Sequence, residues 1–202
     1  MKTNTSQPEV MKDLQGFFRP GQIQDIYNSC ENDRDRLLIR LLWKSGRRIN
    51  EILPLRVEDF DFQEKRILWN IEKKKKPIRK WKPIDKKTTE EARKYICDND
   101  LILFPEKYVF ESTYREGVPL SRQWGFQLIR KLCLACDIHF VGAKKPHPHH
   151  FRHTFAVEMA RKLKNPQDVR KLQMFMEHSS MSTTEQYLQF NDSDLRTLIE
   201  ED

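Results

Sequence analysis

The stretch His147-Pro148-His149-His150-Phe151-Arg152-His153 places four of the chain's six histidines within one short run. It opens HHFRHTFAVEMARKL, whose apolar residues recur at helical spacing, so the run is expected to start a helix. On that helix His149 and Arg152, three residues apart, project from one face. The crowding invites a metal reading, since His149 and His153 are four apart as in helical zinc pairs. No glutamate stands between them as in H-E-x-x-H, however, and Arg152 inside the cluster would repel a dication. No metal is expected. What remains is an imidazole and a guanidinium suited to a single anionic group.

Composition points the same way. Across 202 residues, 37 Lys and Arg face 30 Asp and Glu, for a formal charge of +7 and a pI near 9.2. That balance favours a polyanionic partner. The length suits one main domain. The first residues, MKTNTSQPEVMKDLQG, lack the apolar run of a secretory signal. The run LLIRLLW at 37–43 is broken by Arg40 and is too short to span a bilayer. A soluble, cytoplasmic protein without membrane contact is therefore expected, with Cys30, Cys97, Cys133 and Cys136 as reduced thiols. Cys133 and Cys136 have C-x-x-C spacing but lie in the helical pattern FQLIRKLCLACDI with no second pair. They read as small core residues.

Outward from the histidine run, the chain is mainly α with a small antiparallel sheet, an α+β class. Residues 1–18 are expected to be a tail, 19–190 the functional domain and 191–202 an acidic tail. A helix is expected after Pro20, with Ile23, Ile26 and Tyr27 on one face. A buried helix follows over DRDRLLIRLLWKSG, stopped at Ser45-Gly46, then a short one over RINEILPLR ending near Pro54. RILWNI and KPIRKWKPI read as strands of a hairpin turned by Lys73-Lys74-Lys75-Lys76. Helices are expected over KKTTEEARKYI, SRQWGFQLIRKLCLACDI, PQDVRKLQMFM and TTEQYLQF, and LILFP as a short extended or buried piece.

Four separated pieces then stand out: SGRRINEILPLR at 45–56, IEKKKKP at 71–77, HHFRHTFA at 149–156 and EHSSMSTTEQY at 177–187. Together, and in this order, they resemble the tyrosine recombinase (phage integrase) family. That family carries an arginine in a G-x-R-[hydrophobic]-x-E turn, a hairpin lysine, an H-x-x-R-H box and a G-H-S-S-x-x-T-T-x-x-Y box. The resemblance implies that Arg48, His149, Arg152 and His178 surround a phosphate and that Tyr187 is the nucleophile. Two departures are visible: Glu177 stands where the family has glycine, and the hairpin lysine lacks its usual flanking glycines. Lys73 is the first choice for that lysine and Lys75 the alternative.

Physical chemistry supports the same residues. A phosphodiester nearing pentacoordination gathers charge on its non-bridging oxygens, which planar, always charged guanidinium forks such as Arg48 and Arg152 are built to meet. His149 would move the proton of the nucleophile, His178 would donate to a non-bridging oxygen, and the hairpin lysine would protonate the leaving 5′ oxygen. A tyrosine hydroxyl ordinarily ionises near pH ~10, so attack by Tyr187 requires proton removal in a positive setting. Lys74, Lys75, Lys76, Arg79 and Lys80, with Trp69 and Trp81, are expected against the DNA backbone. His153 reads as a supporting residue, and His147 and His150 as surface or DNA-proximal.

The resemblance implies the integrase catalytic-domain fold and site-specific cleavage and rejoining of double-stranded DNA through a 3′-phosphotyrosyl link, with no metal, ATP or other cofactor. It implies a homotetramer on DNA, a monomer or weak oligomer when free, room for accessory DNA-binding factors, and nucleoid association. The family's helical core-binding domain has no counterpart in the short stretch before Arg19, so either a fragment or a compact recombinase reliant on partners is expected. Two other classes fit the same residues: a type IB topoisomerase-like enzyme, and a DNA-binding module without activity.

Overall fold

The computed structural model describes residues 16–71, 78–163 and 166–177. Its centre is helix α2 (Asp33–Ser45), which follows α1 (Gln22–Asn28) and packs against α1, α4 (Lys86–Asp98) and α6 (Pro148–Ala160). Leu37, Leu38, Ile39, Leu41 and Leu42 are all buried, so the middle of α2 is enclosed on every side and lies inside the domain. Asn32 starts it by accepting from the Asp35 amide at 2.9 Å, and Asp33 and Asp35 complement the positive helix end.

Gly46 ends α2 with φ 62°, the left-handed region a Cβ disfavours. A Cβ there would also lie 2.4 Å from the Phe155 ring of α6. Both constraints require glycine. The chain turns at once into α3 (Ile49–Ile52), then through a 3₁₀ turn at Val57–Asp59 into a three-stranded antiparallel sheet of β1 (Phe60–Asp61), β2 (Arg66–Ile71) and β3 (Ile78–Pro83). In its register Ile67 faces Lys82, Trp69 faces Lys80 and Ile71 faces Ile78. Ile67, Trp69 and Ile71 are buried, and this alternation seats the sheet on the core. Trp69 is thus a core residue with no exposed surface, and the expected contact with DNA is corrected; Trp81, on the opposite face, is exposed.

The LILFP segment also departs from expectation. It is a 3₁₀ turn at Leu101–Leu103, with Ile102, Leu103 and Phe104 exposed and only Leu101 packed against the core. A hairpin of β4 (Glu111–Ser112) and β5 (Arg115–Pro119) follows, in addition to the strands expected from the sequence. Helix α5 (Arg122–Ala135) carries the buried Cys133 as a core thiol, and burial pushes that thiol up to about 12. Helices α6 and α7 (Pro166–Met176) share a second apolar cluster of Phe155, Ala156, Val157, Ala160, Leu172 and Met176. At the other end of the described chain, Phe18 packs on Phe151 with ring centroids 4.8 Å apart and donates its amide to Thr154 Oγ1 at 2.9 Å.

Gly46→Ala is expected to destabilise the domain by about 2–4 kcal/mol, combining left-handed strain with overpacking against Phe155. A urea denaturation midpoint measured beside the wild type checks this; an unchanged midpoint would mean the turn tolerates a Cβ.

Candidate active site

Arg152 lies on α6 and is only 2% exposed. Its Nη1 donates to the Gly46 carbonyl at 2.6 Å and its Nη2 to the Met176 carbonyl at 2.5 Å. One guanidinium therefore fastens the end of α2 and the end of α7 to α6. Beside it Arg48 begins α3, and Glu51, fully buried, accepts from the Arg48 amide and from Arg48 Nη1, each at 3.1 Å. The i,i+3 spacing on a helix start makes that double contact possible. Arg48 keeps about a third of its side chain exposed, so its guanidinium is oriented from behind and open in front. The fold thus brings Arg48, His149 and Arg152 into one region.

The histidines arrange the start of α6. His147 Nδ1 accepts from the His149 amide at 3.2 Å, and His150 Nδ1 accepts from the His147 amide at 3.3 Å. Two imidazoles do the work that Ser and Glu do in an ordinary capping box. His150 is 1% exposed, which corrects its expected surface position, while His147 is half-buried. The His149 and His153 rings meet edge to face at 4.5 Å. Desolvation, then His153, Arg152, His147 and Arg48, push His149 down to about 3. His149 itself is exposed, so a ring neutral at pH 7 is the relevant consequence. Burial likewise takes His150 down to about 3 and, with Arg152, His153 down to about 4. A neutral ring matches the role of His150 as an acceptor.

Of the expected DNA-facing cations, Arg79 pairs with the buried Asp59, and Lys80 with Glu177 at 2.9 Å. Lys73, Lys74, Lys75, Lys76, His178 and Tyr187 lie outside the described residues. Sequence reading missed Arg47, which is 1% exposed, donates to the Phe175 carbonyl and has its charge disfavoured by burial. Its Nε and Nη1 have no hydrogen-bond partner among the described residues. The orienting part played by Glu51 was missed too, although its spacing from Arg48 was a usable signal. Among the described residues no group of His, Cys, Asp and Glu could hold a metal ion, and no helix is long and apolar enough to cross a membrane.

The profile of the phage integrase family matches residues 16–194. A curated tyrosine recombinase of Pseudothermotoga lettingae is 32% identical over 93% of this chain and 60% of its own length. The chain thus spans about six-tenths of that relative. The crystal structure of XerA recombinase superposes with a TM-score of 0.72 at 25% identity, covering 92% of this chain and 64% of that one. XerH site-specific recombinase bound to its difH substrate gives 0.66 at 21% identity, over 85% of this chain and 50% of that one, a likeness of fold.

Arg152→Lys cannot span both carbonyls and is expected to cost about 2–4 kcal/mol, because a hydrogen bond to a charged group contributes roughly 1.5–3 kcal/mol. Urea denaturation tests it, and a loss below the error of the midpoint would show that the two contacts add nothing. A pH dependence follows from the imidazoles. Their folded pKa values lie below the unfolded value of about 6.5, so as pH falls the unfolded chain binds protons that the fold refuses. Stability is expected to be flat in this respect above pH ~7 and to fall between about 6.5 and 4, by up to about 1.4 kcal/mol per unit for a fully buried ring such as His150. His150→Asn, which keeps an acceptor that does not titrate, should shallow the slope; an identical slope would place the protons elsewhere.

Proposed function

Because the chain belongs to the phage integrase family, we propose that it carries the catalytic domain of a tyrosine recombinase that cuts and rejoins double-stranded DNA at a specific site. The reading is supported above all by one arrangement: Arg152 holds the carbonyl of Gly46, two residues before Arg48, whose guanidinium is braced by Glu51 and open to solvent. Two permanent cations are thereby held near each other on separate elements, as a phosphate between them requires. The XerH structure in complex with its DNA substrate has the same fold.

In this mechanism the Tyr187 hydroxyl attacks the scissile phosphate. His149, neutral at pH 7, accepts the phenolic proton, so the attacking oxygen is an anion only as the new bond forms. Arg48, Arg152 and His178 meet the charge that builds on the non-bridging oxygens. The bond from phosphorus to the 5′ oxygen breaks, and a lysine of the basic turn, Lys73 or Lys75, supplies that oxygen's proton. The phosphodiester becomes a 3′-phosphotyrosyl ester of similar energy, so attack by another 5′ hydroxyl reverses the step without ATP or a metal. Full exchange would involve a tetramer on DNA.

Nicked suicide duplexes spanning the native flanking DNA are expected to trap a covalent adduct in EDTA, and Tyr187→Phe to abolish it. An adduct that persists in Tyr187→Phe would overturn the nucleophile. Lys73→Ala is expected to slow cleavage by about 10²–10⁴-fold, the usual worth of a general acid; a comparable loss from Lys75→Ala alone would move the role to Lys75. Relaxation of supercoiled DNA that lacks the site would favour the topoisomerase-like reading instead.

A further inference from the structure

Three successive carbonyls at the end of α7 are held by cations from three different elements. Lys82 Nζ of β3 donates to Met174 O at 3.2 Å, Arg47 donates to Phe175 O, and Arg152 Nη2 donates to Met176 O at 2.5 Å. Cations suit the negative end of a helix, and the carbonyls there have no partner within it. The next residue, Glu177, has φ 53°, a conformation unfavourable for any residue with a Cβ. The family has glycine at this position. Here the chain carries instead a carboxylate only 8% exposed, paired with Lys80 Nζ at 2.9 Å and Lys82 Nζ at 3.2 Å. Lys80 and Lys82 lie on the strand that leaves the basic turn, and Lys80 has 44% of its side chain exposed.

We propose that the Glu177 carboxylate is an internal stand-in for a DNA phosphate. It occupies Lys80 and Lys82 in the DNA-free chain and yields them when a DNA backbone reaches β3. Yielding them loosens the tie between β3 and the end of α7, from which the chain runs on to His178 and Tyr187. Contact with DNA at the sheet is thereby coupled to the segment that carries the nucleophile. The exchange is physically reasonable because a phosphate and a carboxylate offer an ammonium the same charge-assisted contact. One carboxylate shared by two lysines also leaves net positive charge to attract the incoming backbone. The inference rests on the recombinase reading in placing DNA against β3 and in taking Tyr187 as the nucleophile to which the exchange is coupled.

The test is binding of the full chain to a short fluorescent duplex of mixed sequence, from about 50 to about 200 mM salt. Glu177→Gln is expected to bind roughly three- to tenfold more tightly at the low-salt end, since weak exposed pairs are worth little and this one is mostly buried. Its plot of log affinity against log salt should be steeper by about one, because a carboxylate set free in the wild type takes up one of the counterions that binding releases. Glu177→Gly should give the same gain, and the gain should vanish when Lys80→Met and Lys82→Met are already present. An unchanged affinity and slope in Glu177→Gln would overturn the proposal. So would a gain confined to Glu177→Gly, which would be backbone relief, or a gain that survives loss of both lysines. Failure of the wild type to form the covalent adduct, with these binding results intact, would sink the recombinase reading and leave the exchange standing.

Discussion

A buried guanidinium is costly unless hydrogen bonds satisfy it, and the geometry of the site follows from how Arg152 meets that demand. Taking a charge out of water costs several kcal/mol unless hydrogen bonds replace the lost solvent. Arg152 finds them in the carbonyls of Gly46 and Met176, which are free because each lies at a helix end. The contact therefore works only if α2 and α7 both stop beside α6. Gly46 makes the first stop possible by turning left-handed under the Phe155 ring. Within two residues the same turn delivers Arg48, so the position of one arginine is set by the needs of the other.

Charge on this domain is arranged rather than simply abundant. Despite the net +7, Arg48 is matched by Glu51, Arg79 by Asp59, and Lys80 and Lys82 by Glu177. All three carboxylates are nearly or fully buried, and Arg48, Arg79 and Lys80 reach out from them toward solvent. Such a pairing restricts long side chains that would otherwise lose conformational freedom on binding. It also lowers the attraction available to a polyanion, so the anchors trade affinity for position.

Much of this was legible in the chain, for identifiable reasons. α2 and α6 announce themselves through dense apolar runs and sharp stops such as Ser45-Gly46, β2 through its branched and aromatic residues, and the spacing of His149 and Arg152 survives any small error in helix bounds. The burial of Trp69 was not legible. A tryptophan among lysines suggests a nucleic-acid surface, and only the register, with Trp69 opposite Lys80 on the core face, reveals otherwise. β5, REGVP, was missed because it is charged and exposed along its length and has no alternation to find. LILFP misled in the opposite sense, since of its apolar residues only Leu101 packs against the core while Ile102, Leu103 and Phe104 are exposed. Arg47 and Glu177 escaped because their partners, Phe175 and the β3 lysines, are distant in sequence.

The crowded histidines finally make sense as acceptors. A cluster of imidazoles next to Arg152 and Arg48 would be repulsive if the rings were charged, and the fold keeps His149, His150 and His153 neutral near pH 7. Neutrality leaves a lone pair on each ring. His147 and His150 spend theirs on the amides that open α6, which fixes the helix that carries Arg152. The His149 amide is the one that His147 holds, so the cap fixes His149 directly and places its ring on the same helix face as Arg152. The residues that hold the helix and those suited to proton transfer thus alternate along one turn, and a single chemical property, an unprotonated imidazole, serves both.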